Sequence, residues 1–220
     1  MSSNDPDSAP DSHAGRGNFT EEFLPPPHHA PPASNYNILL FGLFMLAGIL
    51  FMAWIGRPAP VVTIGKTLPQ LDLQPLLEGT PPISRNYEEL LGKITVIHFW
   101  GTWCPPCKEE FPEFTKLAAH FADNPDVAIV SVSSSGGPEY DLESLHDKTV
   151  EFMAAYGSTM PTYSDPAAMT RQQIALILPN GSMGYPTTLL VDREGKVFKL
   201  LDGYYPGDME KMISVIEGKL

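Results

Sequence analysis

Cysteine is nearly absent: the 220 residues hold two, Cys104 and Cys107. Two are too few for a disulfide-stapled scaffold and make half of a Cys₄ zinc site. Basic residues are scarce too, 14 Lys and Arg against 26 Asp and Glu, a formal net charge of −12. Residues 1–35 carry one basic and five acidic residues (near −4), and the chain from Arg57 onward 13 and 21 (near −8). Acidic surface on both sides cannot neutralise a phosphate backbone, which excludes nucleic acid as a partner. No internal repeat is evident. A Pro-x-x-x-Thr-x-x-Cys stretch is also missing, which disfavours a thiol peroxidase.

Aliphatic residues are almost missing from residues 1–35, where seven prolines stand among Ser and Asp. Such a stretch buries too little apolar surface to offset chain entropy, so disorder is expected. Pro25 to Pro32 favours extended polyproline conformations, and His28 and His29 within it read as a solvated linker rather than a metal handle. Charge of either sign is missing from Ile38 to Ile55. Those residues, with a neighbour on each side, reach the roughly 20 needed to cross about 30 Å of hydrocarbon. Tyr36 and Trp54 stand where interfacial aromatics belong. A cleaved signal peptide would have a shorter apolar region and a positive start, so the reading is an uncleaved single-pass anchor. The division expected is a disordered tail over 1–35, an anchor over 36–56, a linker over 57–64 and one α/β domain over 65–220. Arg57 and Lys66 follow the span while Arg16 is the nearest basic residue before it, which by itself leans toward a cytoplasmic C-terminal domain.

The domain's chemistry gathers in Phe99-Trp100-Gly101-Thr102-Trp103-Cys104-Pro105-Pro106-Cys107-Lys108-Glu109-Glu110-Phe111-Pro112. Ile94 to Trp100, an almost unbroken β-rich run, suits a central strand covered on both faces. Pro105 stands where a helix has its first turn, since its missing N–H would be unpaired there anyway. Cys104 then falls at the cap, where free N–H groups and the helix dipole favour a negative sulfur. This placement lowers a thiol pKa from about 8.5 into the range of roughly 3.5–7.5 and makes Cys104 a reachable nucleophile. Cys107, one turn on, closes a ring with Cys104 and faces inward. Phe111, Phe114, Leu117, Ala118 and Phe121 mark the buried stripe of the helix, and Pro112 is expected to kink it. Trp103 reads as a lid beside Cys104, Trp100 as core.

Further elements follow from pattern. Leu71 to Leu73 reads as an edge strand, and Tyr87 to Lys93 as one or two helical turns stopped by Gly92. Val127 to Val132 and Met160 to Asp165 read as strands. Helices are expected around Val150 to Tyr156, over Ala167 to Leu178 and over Met209 to Ile216. Thr187 to Val191 and Lys196 to Leu201 form a hairpin through Asp192-Arg193-Glu194-Gly195. The alternation gives an α/β sandwich around a mixed sheet.

Trp-Cys-Pro-Pro-Cys between strand and helix, with Gly184-Tyr185-Pro186-Thr187-Thr188 later, resembles the active site of the TlpA-like membrane-anchored thiol-disulfide oxidoreductases of the thioredoxin superfamily. The resemblance runs from about Ile64 to Leu220. It implies a thioredoxin-like sandwich behind a single transmembrane helix, with no cofactor beyond a redox-active Cys104–Cys107 disulfide. It implies a cis-proline at Pro186 that aims the Tyr185 backbone at an incoming peptide, with Trp103, Pro105 and Pro106 completing the substrate contact. Cys-Pro-Pro-Cys-Lys-Glu-Glu matches the family's Cys-x-x-Cys-x-x-Glu, in which the glutamate manages the dithiol's protons. Glu110 shares a helix face with Cys107 at i, i+3, and its competing reading is a solvated glutamate like Glu109. His98 departs from the Asp of thioredoxins and the Asn common in TlpA-like proteins; a neutral buried histidine is the expectation. The family implies a catalytic domain outside the cytoplasm, against the weak charge bias. Partners implied are disulfide-bearing proteins such as apocytochrome c or copper-site proteins, and a membrane thiol transporter as electron donor. A disulfide oxidant or isomerase is the alternative. A copper-binding chaperone using Cys104, Cys107 and His98 is a third reading.

Overall fold

The computed structural model describes residues 35–55, 63–137 and 141–220, with side chains of the first stretch described over 35–52. The expectations for the proline-rich tail, its histidine pair and most of the linker lie outside the described residues. The chain divides into two units, residues 1–57 and 58–220.

In the first unit α1 runs Asn35–Ile55, 21 residues with no charge, mostly Leu, Phe, Ile, Met, Ala and Gly. At 1.5 Å per residue this is about 30 Å, the thickness of a hydrocarbon core. Its described side chains are exposed all round. Among the described residues it is the one helix long and apolar enough to cross a membrane.

The second unit is built on a six-stranded mixed sheet. In chain order its elements are β1 (Gln74–Pro75), β2 (Ile94–Trp100), α2 (Pro105–His120), β3 (Val127–Ser133), α3 (Leu142–Ala155), β4 (Thr162–Ser164), α4 (Met169–Ala175), β5 (Thr187–Val191), β6 (Val197–Asp202) and α5 (Asp208–Glu217). The strand order is β1-β4-β3-β2-β5-β6. β2 pairs parallel with β3 and antiparallel with β5, so it lies at the centre, and all seven of its residues are buried. Alternate residues of β2 serve opposite cores. Ile94, Val96 and Trp100 join Phe111, Phe114 and Leu117 of α2 and Met212 and Ile216 of α5. Ile97 and Phe99 join Leu71, Leu73, Ile174 and Leu189 on the other face. Helices thus cover both faces of a mixed sheet, as expected, and the carboxyl end of β2 delivers the chain to the cysteines.

Three expectations are corrected. Leu71 to Leu73 is no strand; the edge strand is Gln74–Pro75, paired antiparallel with β4. Leu71 and Leu73 are buried, but Leu71 N donates to Arg85 O and Asp72 N to Thr170 Oγ1, so a loop and a side chain take the bonds a ladder would. Tyr87 to Lys93 forms turns rather than helix, because Tyr87 holds φ +48° and its bonds, such as Leu90 N to Tyr87 O, close over three residues. The helix expected over Ala167 to Leu178 is shorter, starting after Ala168 at φ +56°.

Candidate active site

The N-terminus of α2 follows from its sequence. Cys104 is the N-cap, with extended φ −89° and ψ 111°, and Pro105 and Pro106 occupy the first turn. Cys107 N donates to Cys104 Sγ at 3.3 Å, so sulfur takes the capping place usually held by an oxygen. The two sulfurs are bonded to each other. Pro112 sits within the helix without ending it.

Cys107 is enclosed, as expected of the inward partner. Cys104 departs from expectation: only 2% of its surface is exposed in this oxidised form. Its sulfur is bonded to Cys107 in the first turn of the helix, and the residue belongs to the core cluster against which Tyr185 packs. Pro105, Pro106 and Trp103 remain at the surface beside it, Trp103 at 45% exposure.

Trp103 is held in place by backbone. Its Nε1 donates to Ser134 O at 2.9 Å, and a Cβ at Gly136 would come within 2.6 Å of its Cγ, while one at Gly101 would collide with its Nε1. Glycine at both positions lets the indole lie flat on main chain. Its ring meets Tyr185 edge-on with centroids 5.3 Å apart. The Tyr185–Pro186 peptide is cis. Tyr185 Oη accepts from Arg171 Nη1 at 3.2 Å. Asp165 binds the first N–H groups of α4 through both carboxylate oxygens, and burial still raises its pKa. Ser133–Ser135, Asp165 and Arg171 line a hollow of about 180 Å³ next to the carbonyl that holds Trp103. The sequence reading missed Arg171 and Asp165. No spacing links them to the cysteines, and only the β4–α4 connection sets Asp165 against α4 and brings Arg171 to Tyr185.

On the enclosed side, Glu110 lies on the buried stripe of α2, between Cys107 and Phe111, and is 1% exposed while Glu109 is solvated. Burial, then the charges of Glu113 and Asp208, push its carboxyl up to about 8, so it holds its proton at neutral pH. His98 faces it from β2, fully buried, with Nε2 3.6 Å from Glu110 Oε2. Its Nδ1 lies 2.9 Å from Thr188 Oγ1, and its ring centroid 4.0 Å from that of Phe114. Burial lowers its pKa to about 3, which keeps the ring neutral. The partner is a threonine hydroxyl of β5, two residues beyond Pro186. Trp100 is core: its Nε1 donates to Ser131 Oγ at 2.8 Å and its ring packs on Phe111 at 4.6 Å.

The arrangement offers a redox-active cysteine pair on a helix cap, an enclosed acid one turn behind it, and an aromatic rim at the surface. The pair itself carries the electrons without a cofactor. Among the described residues no three His, Cys, Asp or Glu side chains are grouped to hold a metal, and His98 Nδ1 is engaged by Thr188.

Residues 64–199 match the AhpC/TSA family. Thiol-disulfide oxidoreductase ResA of Bacillus subtilis is 33% identical over 129 residues, 58% of this chain and 63% of that protein, just under two thirds of its length. Thiol-disulfide oxidoreductase ResA of Geobacillus thermodenitrificans is 30% identical over 166 residues, 76% of this chain and 84% of that protein. In fold, the second unit is similar to a Chlorobium tepidum crystal structure assigned as a thiol:disulfide interchange protein DsbE. That match has a TM-score of 0.55 and 23% identity, and covers 71% of this chain and 96% of the other. The chain belongs to the AhpC/TSA family, as a thiol-disulfide oxidoreductase of thioredoxin-like fold that works through a cysteine pair.

Proposed function

We propose that the protein is a membrane-tethered reductase that opens disulfides of particular extracytoplasmic proteins. The observation that carries this reading is the Cys104–Cys107 bond at the cap of α2, in a domain that shares its cis Tyr185–Pro186 junction. Reduced, Cys104 is the attacking thiolate, stabilised by the free N–H groups and dipole of α2. It forms a mixed disulfide with the substrate, and Cys107 displaces the reduced substrate, leaving Cys104–Cys107 oxidised. Glu110 takes and returns the proton of Cys107. Trp103, Pro105, Pro106 and Tyr185 form the surface on which the substrate strand lies, the Tyr185 backbone pairing with it from its cis junction with the buried Pro186.

The tail (1–35), anchor (36–56), linker (57–64) and catalytic domain (65–220) divide the labour. The anchor keeps the domain near its partners, and an oxidising compartment outside the cytoplasm is where a tethered reductant has disulfides to open. Apocytochrome c thiols before haem attachment, or cysteines of a copper site, are the substrates this reading names. A membrane thiol transporter recharges the pair.

The test is trapping. Full-length protein with Cys107→Ser, expressed in its membrane, should accumulate a covalent adduct that a reductant releases and that Cys104→Ser never forms. The adduct's identity names the substrate; no adduct in either variant defeats the reading. The direction of electron flow is read from the potential. Dithiols of this fold span roughly −270 to −120 mV, the low end marking a reductase and the high end an oxidant.

A further inference from the structure

Two polar atoms behind the dithiol are enclosed and have no hydrogen-bond partner among the described residues: His98 Nε2 and Glu110 Oε2. They face each other at 3.6 Å across the contact of β2 with α2. Buried polar atoms seldom stay unpaired, and each of these has the other within reach. A shift of roughly 0.7 Å by the carboxylate brings them to the ~2.9 Å of a charge-assisted bond. The ring has little freedom to turn away, because Thr188 Oγ1 holds Nδ1 at 2.9 Å and Phe114 lies on its face.

We propose that His98 is a positioning residue for thiol–disulfide exchange: oriented by Thr188, it presents an Nε2–H to Glu110 Oε2 and so favours the ionised carboxylate that accepts the Cys107 proton. This rests on reading Cys104 and Cys107 as the redox pair and Glu110 as its proton carrier. A hydroxyl both donates and accepts, so Thr188 tolerates either tautomer of the ring. Only the tautomer with its proton on Nε2 gives Glu110 a hydrogen bond in both of its charge states. Burial keeps the ring neutral, so this donor adds no buried cation. The other groups facing Glu110 push the opposite way. Burial, Glu113 and Asp208 hold the proton on it, and Tyr204, whose hydroxyl donates to Glu113 Oε1, brings no donor to Glu110 itself. A hydrogen bond to the ionised form lowers a carboxyl pKa. His98 thus keeps Glu110 exchangeable rather than locked in its acid form.

In the resolving step the Cys107 S–H gives its proton to the Glu110 carboxylate as the sulfur's electron pair bonds to Cys104 Sγ. The bond between Cys104 and the substrate sulfur breaks. The substrate sulfur leaves with that electron pair as a thiolate and takes a proton from water. One disulfide forms and one breaks: the cysteine pair is oxidised, the substrate is reduced, and Glu110 ends protonated with Oε2 still accepting from His98.

Full-length protein in detergent micelles tests this. Nitrogen-15 shifts of the His98 ring should report a proton on Nε2; a proton on Nδ1 overturns the proposal. The pH profile for release of a peptide thiol from its mixed disulfide with Cys104 supplies the second readout. His98→Phe, which keeps the stacking on Phe114 and removes the donor, should move the midpoint upward by at least about one unit, an about tenfold slower release below it. His98→Gln, with an amide N–H, should recover most of that loss. With Glu110→Gln in place, His98→Phe should change release less than about twofold, since the partner it acts through is gone. An unmoved midpoint, or an equal shift in the Glu110→Gln background, overturns the proposal. If His98→Phe fails to fold, Thr188→Val, which frees the ring to turn, should move the midpoint in the same direction by less, and no movement overturns it. Failure of the underlying reading looks different: the unsubstituted protein forms no mixed disulfide at all, while the ring tautomer still reports on the contact.

Discussion

Around the dithiol the exposed and the enclosed neighbours are built differently. Trp103 and Tyr185, at the surface, are tied by hydrogen bonds to Ser134 O and Arg171. His98 and Glu110, enclosed behind Cys107, face each other with unpaired atoms. The outer pair is rigid aromatic surface with its polar tips satisfied, suited to holding a visiting chain at low entropic cost. The inner pair is apolar packing interrupted by two titratable groups, suited to moving a proton at a cost in stability. In the function proposed above, one region deals with what the sulfurs meet, the other with what they exchange.

The widest separation should come from the two tryptophans. Trp100→Ala, in the inner core, should cost about 3–5 kcal/mol in urea unfolding, the usual range for removing a fully buried aromatic. Trp103→Ala should cost about 1 kcal/mol or less in the same experiment, because the ring is half exposed, while slowing reduction of a polypeptide disulfide. Equal losses of stability would erase the distinction.

Acidity sharpens it next. Glu110 titrates at about 8 folded against about 4.5 in an unfolded chain, so between those values the unfolded state has released a proton that the folded state keeps. Stability therefore falls as pH rises through that window. His98, lowered to about 3 from 6.5, works in reverse, its contribution being lost as pH falls below 6.5. The two slopes oppose each other from 4.5 to 6.5, so Glu110 shows alone from 6.5 to 8. Glu110→Gln should abolish the decline between pH 6.5 and 8, measured by urea unfolding with the disulfide intact. A decline that survives would place the responsible proton elsewhere.

The smallest effect belongs to the outer rim. Tyr185→Phe removes one partly buried hydrogen bond, worth about 1 kcal/mol, and should raise KM for a polypeptide substrate roughly fivefold with kcat little changed. A fall in kcat instead would move Tyr185 from positioning the substrate to the chemistry.

Much of this was legible in the sequence, for reasons that show in particular residues. Ile94 to Trp100 is β-rich without interruption because both faces are buried, and a proline after Cys104 marks a helix start wherever it stands. Glu110 was legible as far as its face: three residues from Cys107, it takes a place on the stripe that is otherwise apolar. Its pairing with His98 was not, since a strand residue and a helix residue meet only through the packing of β2 against α2. Thr188, Ser131, Arg171 and Asp165 were missed for the same reason, their partners lying 90, 31, 14 and 6 residues away at most from where the contact is made. Leu71 to Leu73 shows the opposite failure. Alternating leucines announce buried positions, but whether a ladder forms depends on a partner strand, and β4 is three residues long.

The cover over Cys104 bears on how electrons are kept from leaking. With 2% of its surface exposed in the oxidised form, the sulfur is insulated from small thiols colliding at random. Under the proposed function, a polypeptide docked along Tyr185 has to displace the side chains packed around Cys104 to reach it. On that reading, electrons pass through docking rather than through collision, and reduction of the disulfide by glutathione should be far slower than by a protein dithiol of the same potential. A wire sheathed in this way discharges into the socket that fits it and not into whatever brushes past.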